Sequence, residues 1–421
     1  MTSVCFYFQV HQPFRLRKDY DFFKIGSEHH YEDDYANATI MEKVANKCYR
    51  PMNQLLLEEI HRWKGEFRVS FSISGVCLEQ MERWAPDVIE SFQRLVDTGC
   101  VEILSETYYH SLASLFSPEE FVAQIRLHRQ KVRDLFDYEP VVFRNTELIF
   151  QNRIGEIIEE LGYRGVIAEG ADRILDWRSP NFLYQPAPCR KLALLLKNYR
   201  LSDDIAFRFS NRGWEAWPLH AETFARWVHQ TAGNGEVINL FMDYETFGEH
   251  QWADTGIFEF MRALPGEVLM HPDFSFATPR EVIDRYQPIG KLSFPEPVSW
   301  ADVDRDLTAW LGNSIQDSSI ERIFRLEGVV KSLGDPDLLH AWRKLQTSDH
   351  FYYMCIKWFA DGDVHKYFSP YESPYDAHVI YNNVLSDFEE ILLHRWRMRN
   401  EAPVPNGGPR RSPLLDMAFV D

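Results

Sequence analysis

The chain has 421 residues, 45% of them hydrophobic and 26% charged. It is too long for one small domain and has the balance of an ordinary globular protein. A formal net charge of −18 excludes nucleic acid and anionic membrane surfaces as partners, since both need clustered Lys and Arg, and leaves a neutral or cationic ligand.

Six cysteines without CxxC spacing argue against a disulfide framework or zinc ribbon. No run approaches about 18 uninterrupted apolar residues, so no membrane span is expected. The N-terminus "MTSVCFYFQVHQP" has neither a basic leader nor a small-residue cleavage site. No signal peptide is therefore expected, and the expected location is cytoplasmic.

In chain order, short apolar runs read as strands: "VCFYFQV" (4–10), "FRVSFSI" (67–73), "CVEIL" (100–104), "PVVFR" (140–144), "GVIA" (165–168), "IAFRF" (205–209) and "VINLFMD" (237–243). Continuous apolar character suits strands covered on both faces, as in parallel sheets. Helical patterns lie between them. "PEEFVAQIRLHRQKVRDLF" (118–136) opens with Ser117 and Pro118 as N-cap and first helical residue, and "RIGEIIEELGY" (153–163) carries a glycine near its end. This alternation predicts an α/β fold with a parallel sheet, closed as an incomplete (β/α)7 TIM-like barrel. No G-x-G-x-x-G follows the first strand and no Walker A spacing occurs, so no dinucleotide or nucleotide cofactor is expected. After about residue 300 the period becomes helical. The expected division is a barrel over 1–300, an α-helical bundle over 301–400 that completes the substrate cleft, and a flexible tail over 401–421. Residues 14–40 form a polar, aromatic and acidic insertion.

The polar groups gather where strands end. His11 follows the first strand; Glu102, Glu106 and His110 lie in or just after "CVEIL"; Glu147 follows "PVVFR"; Asp203 and Asp204 precede "IAFRF"; Asp243 and Glu245 close "VINLFMD". In an α/β barrel the loops after the strands build the active site. In extended chain Asp243 and Glu245 point to one side, so mutual repulsion raises the proton affinity of at least one, which suits a general acid. An arginine partner for Glu245 and a turn-capping Asp243 would also fit. Glu147, three residues past Arg144, is the natural ionised counterpart, although it could instead cap "LIF". A protonated and an ionised carboxyl facing each other are the machinery of glycoside hydrolysis. His11 could hold a substrate hydroxyl, ligate a metal or serve as a structural hydrogen-bonder. "EHHYEDDY" (28–35) reads as a solvated acidic loop rather than a metal cluster, and no metal site is expected. No G-x-S-x-G elbow appears.

"FQVHQP", "GCVEILSETYYHSL", "FRNTELIF", "FMDYETFGEHQW" and "LQTSDHFYYM", in this order, resemble the five sequence regions of glycoside hydrolase family 57, most like its α-amylase group. The resemblance implies an incomplete seven-stranded barrel with a helical bundle, and metal-free, retaining cleavage or transfer of α-glucosidic bonds. By resemblance Glu147 is the nucleophile and Asp243 the general acid/base. His11, Glu102, Glu245 and Asp349 are implied to contact or support the substrate. His250 and Trp252 would line the same cleft, Trp252 by stacking on a sugar face or else by packing in the core. The partner expected is an α-glucan such as starch, glycogen or malto-oligosaccharide. A 4-α-glucanotransferase or glucan-branching enzyme would share this chemistry. A metal-dependent polysaccharide deacetylase or a non-catalytic glucan-binding protein are readings from other classes.

Overall fold

The structure is a computed structural model that describes residues 1–357 and 369–400; the tail expected at 401–421 lies outside the described residues. The chain folds as two compact units. The first comprises Met1–Gln12, Ala38–His110 and Glu119–Leu307, and the second comprises Pro13–Asn37, Ser111–Pro118 and the described chain from Thr308.

The first unit is an incomplete (β/α)7 barrel. β1 (Thr2–Val10), β2 (Val69–Ile73), β3 (Val101–Ile103), β4 (Val142–Arg144), β5 (Gly165–Glu169), β6 (Ala193–Lys197) and β7 (Val237–Asp243) run parallel in the order β3-β2-β1-β7-β6-β5-β4. The edges β3 and β4 meet through one bridge, in which Ser105 N–H donates to Val142 O at 3.0 Å and Arg144 N–H to Ser105 O at 2.8 Å. A short strand β8 (Phe274–Phe276) pairs with Thr2–Val4 of β1.

Every residue of β1 is buried because both of its faces are covered. Val4, Phe6, Phe8 and Val10 pack outward with helix residues such as Met52, Leu56 and Phe92. Cys5 and Tyr7 join Leu104, Val142, Ile167, Leu195 and Phe241 in the barrel interior. The period of two along each strand then decides what crowns that interior at the C-terminal rim. Gln9, Ser72, Arg144, Glu169, Lys197 and Asp243 all fall on the inward parity. At the other end, Ala277 and Val282 join the inner cluster, so the helix Pro279–Arg285 packs against the N-terminal end of the barrel. Its start is fixed by a capping box between Thr278 and Glu281.

One strand assignment is corrected. "IAFRF" is not a strand: Ile205 and Ala206 end the helix Tyr199–Ala206, and Asn198 caps that helix by accepting from Leu201 N–H. The sixth strand is instead the all-apolar run Ala193–Leu196 with Lys197, fully buried and paired with β5 along its whole length. Asp203 and Asp204 therefore ride on a helix after β6 rather than preceding a strand.

The second unit is helical: Ser314–Arg325, Glu327–Leu333, Pro336–Lys344, Ser348–Tyr352 and the long Pro374–Asn400. Trp342 is fully buried and donates to Ile323 O at 2.8 Å. The acidic insertion belongs to this unit. Asp387 of the long helix, itself fully buried, accepts from Gly26 N–H, Tyr31 OH and the ring Nδ1 of His29. No helix among the described residues is long and apolar enough to cross a membrane.

Candidate active site

β4 ends at Arg144, and the next residues turn sharply. Glu147 and Leu148 both adopt left-handed backbone, with φ of 57° and 50°. For residues other than glycine this costs about 1–3 kcal/mol each and persists only where the surroundings enforce it. Here they do. Trp300 N–H donates to Glu147 O at 3.1 Å, and Phe150 and Val298 exchange two backbone hydrogen bonds of 2.9 Å just beyond.

The Glu147 carboxyl is held from two directions. Trp300 Nε1–H donates to Oε2 at 2.8 Å, and His110 Nε2 lies 3.4 Å from Oε1. His110 Nδ1 in turn pairs with Glu106 Oε2 at 3.0 Å. Glu106 also accepts from Gln9 Nε2, and its backbone N–H donates to His128 Nδ1. Burial alone would discharge His110, but hydrogen bonds to Glu106 and Glu147 outweigh it and raise its pKa to about 9. Burial likewise opposes a charge on Glu106, yet the His110 contact holds its pKa down to about 2. The result is a buried carboxylate–imidazolium pair aimed at Glu147.

Arg144 is also fully buried, with its guanidinium 5.0 Å from the centre of the Trp300 ring and 4.0 Å from Glu106 Oε2. None of its three side-chain nitrogens has a hydrogen-bond partner among the described residues. It contributes charge without committing a donor.

Asp243 crowns β7 on the inward parity, half-buried, with no protein donor to its carboxyl among the described residues. Burial, then the charge of Glu147, raise its pKa to about 6, against the opposing charges of Arg144, Lys197 and His110. Glu245 does not share its environment, because the 3-10 turn Tyr244–Thr246 breaks the strand's alternation. Glu245 is buried, accepts from Tyr49 OH and from Gln12 Nε2 at 3.4 Å, and is raised to about 8 by burial and then by Asp243. The two still repel, but across a turn and not along one face.

His11 reaches this cluster: its ring stacks on His110 with centroids 3.9 Å apart, and Nδ1 bonds Ser74 Oγ at 2.6 Å. Glu102 does not. It lies on the inward parity of β3 one layer lower, where Oε2 accepts from Arg280 N–H at 2.7 Å at the start of the helix Pro279–Arg285. His250 and Trp252 line a neighbouring cleft with Phe209 and Trp217, and Trp252 is 57% exposed. It is therefore not a core residue. Asp349 belongs to the second unit, in the first turn of Ser348–Tyr352, where it faces the Tyr353 hydroxyl.

Three charged groups that the sequence reading did not name, Glu169, Lys197 and Arg305, gather with Asp203. Lys197 lies 3.7 Å from Glu169 Oε2 and 3.2 Å from Asp203 Oδ1, and Arg305 approaches Glu169 and Asp203 at 3.8 Å each. Lys197 also sits 5.4 Å from the Trp300 ring centre, which links this cluster to Glu147. The available signal was position: Glu169 and Lys197 are the last residues of their strands. Among the described residues no group of three or more His, Cys, Asp or Glu is arranged to hold a metal ion.

A family model described as "Glycosyl hydrolase family 57" matches residues 5–295. The chain belongs to this family. A protein of Methanocaldococcus jannaschii named "Putative alpha-amylase" is 45% identical over 400 residues, 92% of this chain and 84% of that one. Among solved structures, a 4-alpha-glucanotransferase of Thermococcus litoralis superposes with a TM-score of 0.63 at 16% identity. It covers 83% of this chain, which spans only 56% of that enzyme. A family 57 branching enzyme of Thermococcus kodakaraensis superposes with a TM-score of 0.61 at 14% identity, over 84% of this chain and 86% of that one. At such identities the two superpositions establish the fold, and family membership makes the protein a glycoside hydrolase.

Proposed function

We propose that this glycoside hydrolase cleaves α-1,4-glucosidic bonds with retention, as an α-amylase, with Glu147 as nucleophile and Asp243 as general acid/base. The observation that carries the reading is the opposite treatment of two carboxyls on one rim. Glu147 receives the His110 imidazolium and the Trp300 N–H, which suits an ionised carboxylate. Asp243 has its proton affinity raised, by burial and then by Glu147, to a pKa of about 6, which suits a proton donor. Glu147 attacks the anomeric carbon while Asp243 protonates the departing glycosidic oxygen, giving a glycosyl ester and a free sugar end. Asp243, now ionised, takes a proton from water, which hydrolyses the ester and restores both groups. Arg144 supports this as a positioning residue, since its charge offsets Glu106 and it packs over the ring of Trp300, the donor to Glu147.

The α-glucan substrate follows the names of the relatives. If a sugar hydroxyl replaces water in the second step, the same machinery acts as a 4-α-glucanotransferase or branching enzyme. The test is incubation with maltoheptaose or soluble starch, with and without EDTA, resolving products by length and anomer. Shorter α-anomeric products alone, unaffected by EDTA, are expected. Products longer than the substrate would make it a transferase, and no change in any glucan would overturn the proposal.

A further inference from the structure

Trp300 gives Glu147 a donor, yet it belongs to a stretch between Leu292 and Ser314 that forms neither strand nor helix. Two residues of this loop, Asp302 and Arg305, adopt left-handed backbone, with φ of 58° and 49°. Neither is glycine, so the shape persists only where contacts enforce it. Two arginines supply such contacts. Arg173, exposed on the short helix Asp172–Leu175, donates through Nη1 to Asp304 O at 2.8 Å and through Nη2 to Pro297 O at 2.9 Å. One planar guanidinium thus ties the two sides of the loop, with Trp300 between them.

Arg305 holds the loop from inside. Its guanidinium lies 3.7 Å from the centre of the Tyr199 ring and 3.8 Å from both Glu169 and Asp203. Its carbonyl accepts from Ser299 N–H at 3.1 Å, one residue before Trp300. Glu169 and Asp203 also pair with Lys197, whose Nζ lies 5.4 Å from the Trp300 ring centre. The inner anchor of the loop and the cation beside the indole therefore share two carboxylates. We propose that Arg173 and Arg305 are positioning residues for the reaction: they clamp the loop that aims Trp300 Nε1–H at the Glu147 carboxylate. They act through Trp300, on the charge of the nucleophile and not on the hold on the glucan. The inference rests on the function proposed above.

Arg173→Ala is the first variant to test, because Arg173 is exposed and its loss strands no buried charge. Arg305→Lys is the second, since it keeps a cation beside Glu169 and Asp203 but gives up the flat stack on Tyr199. Each is also combined with Trp300→Phe, and kcat and KM on maltoheptaose are measured for every variant. Arg173→Ala alone should lose about three- to tenfold in kcat, part of what one hydrogen bond to a charged group supplies, with KM within about twofold. Added to Trp300→Phe it should lose less than about twofold, because the donor it positions is already gone. Equal losses in both backgrounds, a loss confined to KM, or no loss from either arginine would overturn the clamp. Hydrogen exchange separates the clamp from the function it serves. In Arg173→Ala the amides of Trp300 and Val298, bonded to Glu147 O and Phe150 O, should exchange faster than in wild type. Unchanged exchange removes the clamp and leaves the proposed function standing. A wild type that cleaves no glucan removes the proposed function, and the clamp's role in catalysis with it, whatever the exchange shows.

Discussion

At the end of β4, Glu147 is gripped by Trp300 and His110 on a strained backbone, whereas at the end of β7, Asp243 has no protein donor among the described residues and is governed by burial and a neighbouring charge. The two carboxyls differ by one methylene and share one rim. The contrast separates two carboxyls by their surroundings: hydrogen-bond donors meet Glu147, while burial and a neighbouring negative charge raise the proton affinity of Asp243.

The largest break in this contrast is Glu147→Gln, which should reduce glucan cleavage by roughly 10⁴-fold or more, because no covalent intermediate forms. Asp243→Asn should cost about 10²–10⁴-fold on glucans and far less on an α-glycosyl fluoride, whose leaving group needs no proton. In wild type, kcat/KM for glucans should fall as pH rises through about 6, as Asp243 loses its proton. Steady-state rates on the two substrate types check both statements. Trp300→Phe keeps the ring beneath Arg144 and Lys197 but removes the Glu147 donor. A hydrogen bond to a charged group is worth about 1.5–3 kcal/mol, so kcat should drop roughly 10- to 100-fold with KM little changed.

Stability sharpens the contrast further. Glu245, Glu169, Glu102 and Asp243 have folded pKa values of about 8, 7, 7 and 6, above their ordinary 4.5 or 3.8, so the fold gains stability as pH falls through them. His110, raised from 6.5 to about 9, contributes stability that is full below 6.5 and lost as pH rises through 9. Both effects run the same way. His250, lowered from 6.5 to about 4, acts in reverse below pH 6.5. Calorimetry should find a melting temperature a few degrees higher at pH 6 than at pH 8.5. The smallest expected effect is that of Glu102→Gln, which replaces a buried carboxyl outside the rim cluster and should leave kcat/KM within about twofold.

Much of this was legible in the sequence, and for physical reasons. Continuous apolar runs announced the buried strands, and the residues ending them announced the rim, which is how Glu147, Asp243 and His11 became candidates. Two kinds of information were not local. "IAFRF" has strand composition, yet the Asn198 cap and the apolar spacing of Leu201 and Ile205 carry its first two residues into a helix. Glu102 and Glu106 are four residues apart in one motif. Only the strand's end at Ile103 decides that Glu106 reaches His110 while Glu102 stays one layer down against Arg280. Trp300 was out of reach for another reason, since it arrives 153 residues after Glu147 from a loop with no strand or helix signal.

The bridge between Ser105 and Phe143 joins β3 to β4, and it lies between the two sides of the grip on Glu147, the proposed nucleophile: Glu106 and His110 on one edge, Glu147 on the other. The hydroxyls of Thr107 and Thr146 meet across the same line at 2.6 Å. Any thermal fluctuation that parts β3 from β4 also pulls the imidazolium from its carboxylate. Breathing of the barrel and loss of catalytic competence are thus a single event. On warming, the amide protons of Ser105 and Arg144 should exchange together, and activity should vanish before the helical signal does.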